Sequence, residues 1–109
     1  MKAARRAPPA PPAAPRYTLR LYITGMTPRS VEALANIREL CNQYLAGRHT
    51  LEVIDIYENV TRARADQIFV SPTLIKLTPA PTRRFVGNLS DRAKLLLGLD
   101  LASQNEARP

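Results

Sequence analysis

The sequence has few of the residues that build covalent, metal and redox sites. Its 109 residues include one cysteine, one histidine and no tryptophan. The single cysteine excludes an internal disulfide, a two-cysteine redox centre and a cysteine-rich zinc site within one chain. No apolar run approaches the roughly 20 residues that cross a bilayer, and the N-terminus lacks the apolar stretch of a secretory signal. We therefore expect a cytoplasmic protein with no membrane segment, metal or cofactor.

The positive charge is unevenly distributed. The net charge is +7, and Lys2, Arg5, Arg6 and Arg16 carry +4 of it. Residues 17–101 contain eleven basic and eight acidic residues, so this part is only mildly basic. It shows no basic stripe interleaved with aromatic residues and no nucleic-acid-binding motif. We therefore expect the charges to form a solvated surface rather than a nucleic-acid site.

Composition divides the chain into three parts. Residues 1–16 are mostly Ala, Pro and Arg, with nothing to bury, and are expected to form a disordered or polyproline-II arm. Residues 17–102 are long enough for one domain with a modest core. Residues 103–109 are expected to be a flexible tail.

The first half of the domain has a clear pattern. Residues 17–24 alternate apolar and polar side chains, which predicts a strand with one buried face. Thr27 and Pro28 then provide a helix N-cap and a first helical residue. The helix has a core-facing stripe, and residues 50–57, apolar on both faces in the middle, predict a central parallel strand. The stripe consists of Val31, Leu34, Ile37, Cys41, Tyr44 and Leu45.

In the second half of the domain, the local sequence pattern predicts secondary structure less clearly. Residues 60–67 are polar with helical propensity, and form either a solvated connector or a recognition surface. Pro72 interrupts the apolar run 68–77 and should mark the entry to a strand, with the Ser71–Pro72 bond either trans or cis. A proline-rich turn then leads to a strand at 82–87, whose adjacent Arg83 and Arg84 either protect an edge or bind an anionic partner. A last helix begins at Ser90–Asp91.

The predicted order βαβαββα is that of a thioredoxin-like α/β domain. The loop Gly25–Ser30, where such domains carry two active cysteines, contains none. Cys41 lies on the apolar stripe and is interpreted as a small buried hydrophobe, and His49 as a surface residue. No catalytic residue is assigned, and we expect the protein not to be an enzyme.

Several linked motifs resemble the KaiB family of circadian-clock and clock-like proteins. The resemblance runs from Tyr17 to Leu101. It is carried by Leu21-Tyr22-Ile23-Thr24-Gly25-Met26-Thr27-Pro28, Val53-Ile54-Asp55, Pro72-Thr73-Leu74, Pro79-Ala80-Pro81, Gly87-Asn88-Leu89-Ser90-Asp91-Arg92 and Leu97-Gly98-Leu99-Asp100-Leu101.

The resemblance implies a small adaptor that binds the hexameric ATPase KaiC and switches its fold. It implies a ground state ordered βαββααβ, a tetramer or dimer, and a monomeric thioredoxin-like state that binds the ATPase. The two states share their N-terminal βαβ half. Segments 69–77 and 95–101, whose local pattern decides neither helix nor strand, lie in the half that differs.

The resemblance also implies site residues. The segment 59–67 corresponds to the ATPase-facing helix, which makes Asn59, Arg62, Arg64 and Gln67 the candidate partner-binding residues. Gly98 and Asp100 match positions that influence the balance between the two states, and with Pro72 they are the candidate fold-switch residues. Replacing Gly98 by Ala is expected to favour helix by about 1 kcal/mol and to speed binding.

Three alternatives to the clock adaptor remain at this point. A redox enzyme would need thiols that the Gly25–Ser30 loop lacks. A degenerate thioredoxin-like stress or redox-associated interaction protein would need none. The sensor domain of a clock histidine kinase shares the fold, although no kinase region follows Leu101.

Overall fold

The computed structural model describes residues 15–87 and 89–101. Apart from Pro15 and Arg16, the predicted arm and tail lie outside these residues. The elements are β1 (Tyr17–Ile23), α1 (Pro28–Tyr44), β2 (His49–Asp55), a 3-10 turn (Ile56–Glu58), α2 (Val60–Ala65), β3 (Thr73–Thr78), β4 (Arg83–Val86) and α3 (Arg92–Gly98). This is the predicted thioredoxin-like order.

The four strands form one sheet in the order β2-β1-β3-β4. β1 pairs with β2 in parallel and with β3 antiparallel, and β3 pairs with β4 antiparallel. The expectation that the second strand is central is wrong, because β2 lies at an edge and β1 is central. The apolar pair Val53–Ile54 arises because each side chain is covered on its own face of the sheet.

Two unequal layers cover the sheet. Because side chains alternate along a strand, Tyr17, Leu19, Leu21 and Leu74 face α1 and α3 and belong to the main core. The opposite face carries a smaller cluster of buried residues beside the short helix α2. This smaller cluster consists of Tyr22, Ile54, Ala63 and Ile75.

Helix α1 begins as predicted but presents a shifted face. Thr27 is the N-cap, with its hydroxyl accepting from the Ser30 amide, and Pro28 is in the first turn. Val31, expected in the core, is 43% exposed, whereas Ser30 is buried. The Ser30 hydroxyl accepts from the Thr24 amide at 3.1 Å, which satisfies a polar group that the hydrophobic pattern had excluded from the interior.

Pro72 lies directly before β3, as predicted, and its bond to Ser71 is cis. The turn between β3 and β4 contains two further cis bonds, Thr78–Pro79 and Ala80–Pro81. None of the helices in the described part of the chain is long and apolar enough to cross a membrane.

Candidate functional site

Helix α2 lies on the thinly covered face of the sheet and exposes almost all of its surface. Of its six residues only Ala63 is buried. So short a helix is unstable alone, because few backbone hydrogen bonds offset the cost of nucleation. Contacts with the rest of the protein must therefore hold α2 in place.

The predicted partner-binding residues differ in whether their side chains already contact other residues of the chain. Asn59 precedes α2, and its side-chain amide donates to the Asp55 carbonyl at 3.1 Å. Arg62 makes a two-pronged ion pair with Glu52 of β2, at 2.6 and 3.0 Å. This hydrogen bond with Arg62 lowers the pKa of Glu52 despite some desolvation. Arg62 therefore faces the sheet edge, while the Arg64 side chain has no hydrogen bond or ion pair within residues 15–87 and 89–101.

Gln67 has a structural position at the end of α2. Its φ is +57°, a left-handed conformation that non-glycine residues rarely adopt. The Gln67 amide donates to the Arg64 carbonyl at 3.0 Å, and the next amide, Ile68, donates to the Ala63 carbonyl at 2.9 Å. This pair of hydrogen bonds is a Schellman motif, which ends the helix. The exposed Gln67 side chain is brought beside Phe69 and Val70 by this turn.

A polar network that the sequence did not predict fixes the end of α2. The Tyr22 hydroxyl, on a fully buried residue of β1, lies 2.5 Å from Asp66 Oδ2 and 3.3 Å from the Arg62 carbonyl. Arg20 Nη1 lies 2.8 Å from the same Asp66 oxygen. Arg84 of β4 donates to the Asp66 and Gln67 carbonyls.

The network changes the acidity of its members. Burial, and then the hydrogen bond with Asp66, raise the pKa of Tyr22 to about 12. The hydrogen bond from Tyr22, followed by the contact with Arg20, lowers the pKa of Asp66 despite partial desolvation. Asp66 is therefore a carboxylate and Tyr22 a neutral donor at neutral pH. No sequence signal pointed to Asp66, because an acidic residue in a polar segment is ordinarily solvated.

Exposed apolar side chains surround the helix. Tyr57 is 71% exposed and Phe69 is 87% exposed, and Val60 and Val70 are each about half exposed. A groove of about 300 Å³ lies beside the end of α2. Its lining residues are Gln67, Phe69, Val70, Thr73, Arg84 and Val86. Clustered large apolar side chains on a protein surface are typical of contact sites.

The loop at the start of α1 carries hydroxyl groups where thioredoxins carry thiols. The Thr27 hydroxyl lies 3.0 Å from the Ser30 hydroxyl, and the Ser71 hydroxyl donates to Thr24 at 3.3 Å. Cys41 is fully buried in the main core, as predicted, and burial raises the pKa of its thiol to about 11. A buried thiol of this acidity is not a nucleophile at neutral pH. In the described residues no group of three His, Cys, Asp or Glu side chains could hold a metal ion.

The candidate fold-switch residues lie at element boundaries. Gly98 is the last residue of α3, and a Cβ added there would lie 2.2 Å from the Phe85 ring. Asp100 has φ +65° and completes a second Schellman motif, in which the Asp100 and Leu101 amides donate to Leu97 and Leu96. Pro72 is buried beside the hydroxyl-bearing loop.

The fold and this surface define a class: a thioredoxin-like α/β domain with a threonine–serine loop in place of the thiol pair and an exposed short helix flanked by apolar side chains. The KaiB domain profile matches residues 20–101. The circadian clock oscillator protein KaiB of Trichodesmium erythraeum is 47% identical over 85 residues, covering 78% of this chain and 82% of that protein. The chain belongs to the KaiB family.

Three further proteins are similar to this chain in sequence or in fold. The circadian clock protein KaiB3 of Synechocystis is 45% identical over 89 residues, covering 82% of this chain and 87% of that protein. The N-terminal domain of Synechococcus elongatus SasA superposes with a TM-score of 0.67 at 20% identity, over 94% of this chain and 95% of that one. The Drosophila melanogaster thioredoxin Deadhead superposes with a TM-score of 0.64 at 15% identity, over 78% of this chain and 79% of that one. These structural likenesses confirm the thioredoxin-like fold.

Proposed function

We propose that this protein is a non-catalytic clock or clock-like adaptor that binds a hexameric KaiC-type ATPase through α2 and the residues beside it. The proposal rests on the exposure of α2, which lies between the exposed Tyr57 and Phe69 and has only one buried residue, Ala63. Membership of the KaiB family supports the clock role, since the relatives are named circadian clock proteins.

The proposal includes a change of fold. The chain exists as a tetramer or dimer in a ground state ordered βαββααβ, and as a monomer in the thioredoxin-like state that binds the ATPase. When only a fraction of the molecules is competent to bind, the apparent affinity falls by that fraction. Slow interconversion then makes capture slow, which suits a timer of the phosphorylation cycle or output of the ATPase. The adaptor acts in the cytoplasm, and a sensor histidine kinase pathway is a second proposed partner.

Size-exclusion light scattering tests this proposal. The protein is mixed with the KaiC-like ATPase of the same organism and ATP, and the mass of the complex is followed over hours. We expect the ring to gain up to one copy per subunit, slowly. Absence of a complex under every nucleotide condition would overturn the proposal.

Arg64→Ala tests the binding surface. Arg64 is exposed on α2 and its side chain makes no hydrogen bond or ion pair in the described chain, so removing this side chain should spare the fold. We expect an affinity lower by roughly tenfold, the effect of losing one charged contact at an interface. Arg38→Ala is the matched control, an exposed arginine on α1 across the sheet, and should bind like the natural chain. If both variants bind the ATPase equally well, the contact does not involve Arg64 and the proposed binding surface on α2 is wrong.

The alternative is a thioredoxin-like stress or redox-associated interaction protein without a clock role. The likeness to thioredoxins favours it, but the Gly25–Ser30 loop has no thiol and Cys41 is buried. We expect no reduction of insulin disulfides above the buffer rate. Sustained turnover would make the redox alternative the better description.

A further inference from the structure

Two tyrosines of the central strand contact the ends of two different helices. Tyr17 and Tyr22 project to opposite faces of β1. The Tyr17 hydroxyl donates to the Leu99 carbonyl at 2.7 Å, at the C-cap of α3. The Tyr22 hydroxyl donates to Asp66, at the C-cap of α2. Each hydroxyl therefore reaches the last turn of one helix.

Both helix ends adopt costly conformations. The left-handed residues of the two Schellman motifs are Gln67 and Asp100, where glycine is usual because it has no Cβ. Asp66 also places a negative charge at the C-terminus of α2, where the helix dipole disfavours it. Local sequence preference opposes these turns, so tertiary contacts must hold them.

The contacts at the end of α2 are mostly polar. Ala63 is its one buried side chain, and no other residue of the helix reaches the core. Asp66 Oδ2 accepts hydrogen bonds from the Tyr22 hydroxyl and from the Arg20 guanidinium. The charged and titratable groups that act on Asp66 are Arg20 and Tyr22 of β1, Arg62 of α2 and Arg84 of β4. Glu52 of β2 is one step removed, because it pairs with Arg20 and Arg62.

We propose that Tyr22 and Tyr17 are positioning residues, each of which holds the C-terminal turn of one helix, α2 and α3 respectively, against the central strand. The inference depends on the fold alone. A consequence for partner binding follows only if the proposed function is right. In that proposal β1 lies in the half that both states share, whereas α2 and α3 lie in the half that changes. The two hydroxyl groups would then select the thioredoxin-like state.

Amide hydrogen exchange on the full chain tests this pair of roles. Tyr22→Phe removes one hydroxyl and keeps the buried ring. We expect the amides of Ala63, Asp66 and Ile68 to exchange roughly tenfold faster, because the lost hydrogen bond had a charged acceptor. The amides of Leu99 and Leu101, which close α3, should be unchanged.

Tyr17→Phe is expected to give the opposite pattern. The amides of Leu99 and Leu101 should exchange several-fold faster, because a hydrogen bond to a neutral carbonyl is lost, while those of Ala63 and Ile68 stay constant. Tyr44→Phe is the control, since the Tyr44 hydroxyl makes no hydrogen bond within residues 15–87 and 89–101, and should change neither set.

The proposal requires each variant to affect the end of one helix only. Faster exchange of the same amides in both variants, or of the buried α1 amides Ile37 and Cys41 to an equal extent, would show general destabilisation and overturn the proposal. Unchanged exchange in both would also overturn it. If Tyr22→Phe does not fold, Asp66→Asn keeps the side-chain shape and should raise exchange at the end of α2 alone. Because no partner is present, failure here is distinguishable from failure of the ATPase-binding proposal.

Discussion

Asp66 makes the stability of the α2 region depend on pH in the acid range. Its pKa is lowered in the folded protein by Tyr22 and Arg20, relative to an ordinary value of 3.8. A carboxyl group with a lowered folded pKa contributes stability above its unfolded pKa, and this contribution is lost as pH falls through the folded value. The ordered α2 turn is thus favoured at neutral pH and weakened by acid.

This dependence gives a prediction for Asp66→Asn. The natural chain should lose stability toward urea, relative to this variant, as the pH falls from about 5 to below 3.8, because only the natural chain has this carboxylate to protonate. The measurement is the difference in unfolding free energy between the two proteins across that range. Carboxylates that do not share Arg20 with Asp66 titrate alike in both proteins and cancel, and Glu52, which does share it, is replaced by Gln in both. A difference that does not vary with pH would contradict the assignment.

Gly98 shows how one neighbour changes the expected effect of a substitution. The sequence alone predicts that alanine at this position stabilises helix by about 1 kcal/mol. The new methyl group would lie 2.2 Å from Phe85 Cε2 and 2.8 Å from Cζ, so the half-buried ring must move. The gain in helix propensity and the cost of moving the ring therefore oppose each other in this fold.

A double-mutant cycle separates these two effects. Gly98→Ala should stabilise the thioredoxin-like fold more in a Phe85→Leu background than in the natural one, with a coupling of at least about 0.5 kcal/mol. Leucine ends near the position of Phe85 Cδ2, which lies 3.4 Å from the added carbon. Phe69→Leu is the control background, because Phe69 is 87% exposed and is not among the atoms near Gly98. Urea unfolding measures the stability of each variant. An equal effect of Gly98→Ala in the natural, Phe85→Leu and Phe69→Leu backgrounds would refute the steric account.

At the level of elements, both short helices stop at a left-handed residue that is not glycine. Gln67→Gly and Asp100→Gly should each stabilise the thioredoxin-like fold by roughly 0.5–1 kcal/mol, since glycine adopts positive φ without a Cβ clash. The greater freedom of glycine in the unfolded chain offsets part of this gain. Ala46→Gly, an exposed change after α1, is the control and should not stabilise. Thermal unfolding distinguishes the three, and destabilisation by both glycine variants would contradict the argument.

The elements also show what local pattern can predict. Alternation in residues 17–24 and the Thr27–Pro28 pair were sufficient to predict β1 and the start of α1, because both signals lie within one element. The place of β2 was not predictable from its own residues. Its apolar middle is explained by cover on both faces, but the order of the sheet depends on β1 pairing with β3, which is distant in sequence.

The candidate site was predictable only in outline. Local pattern left residues 60–67 as either a solvated connector or a recognition surface, and only the family resemblance favoured binding. α2 is exposed there, but a role in binding stays a prediction. Asp66 was missed because its partner Tyr22 is 44 residues away and belongs to a strand whose other face defines the main core. The ion pair of Arg62 with Glu52 likewise depends on the register of two elements rather than on spacing.

In the molecule as a whole, the first strand of the chain, β1, lies inside the sheet between β2 and β3. β2 can pair with β1 as soon as both have left the ribosome, whereas the other side of β1 must wait for Thr73–Thr78. At 5–20 residues per second, the 23 residues from Asp55 to Thr78 take on the order of a few seconds to synthesise. During this time the nascent chain can form the β1–α1–β2 unit, in which one hydrogen-bonding edge of β1 is still unpaired. If the chain has the two folds proposed above, the segment that reaches this edge first decides which of them a newly made molecule enters.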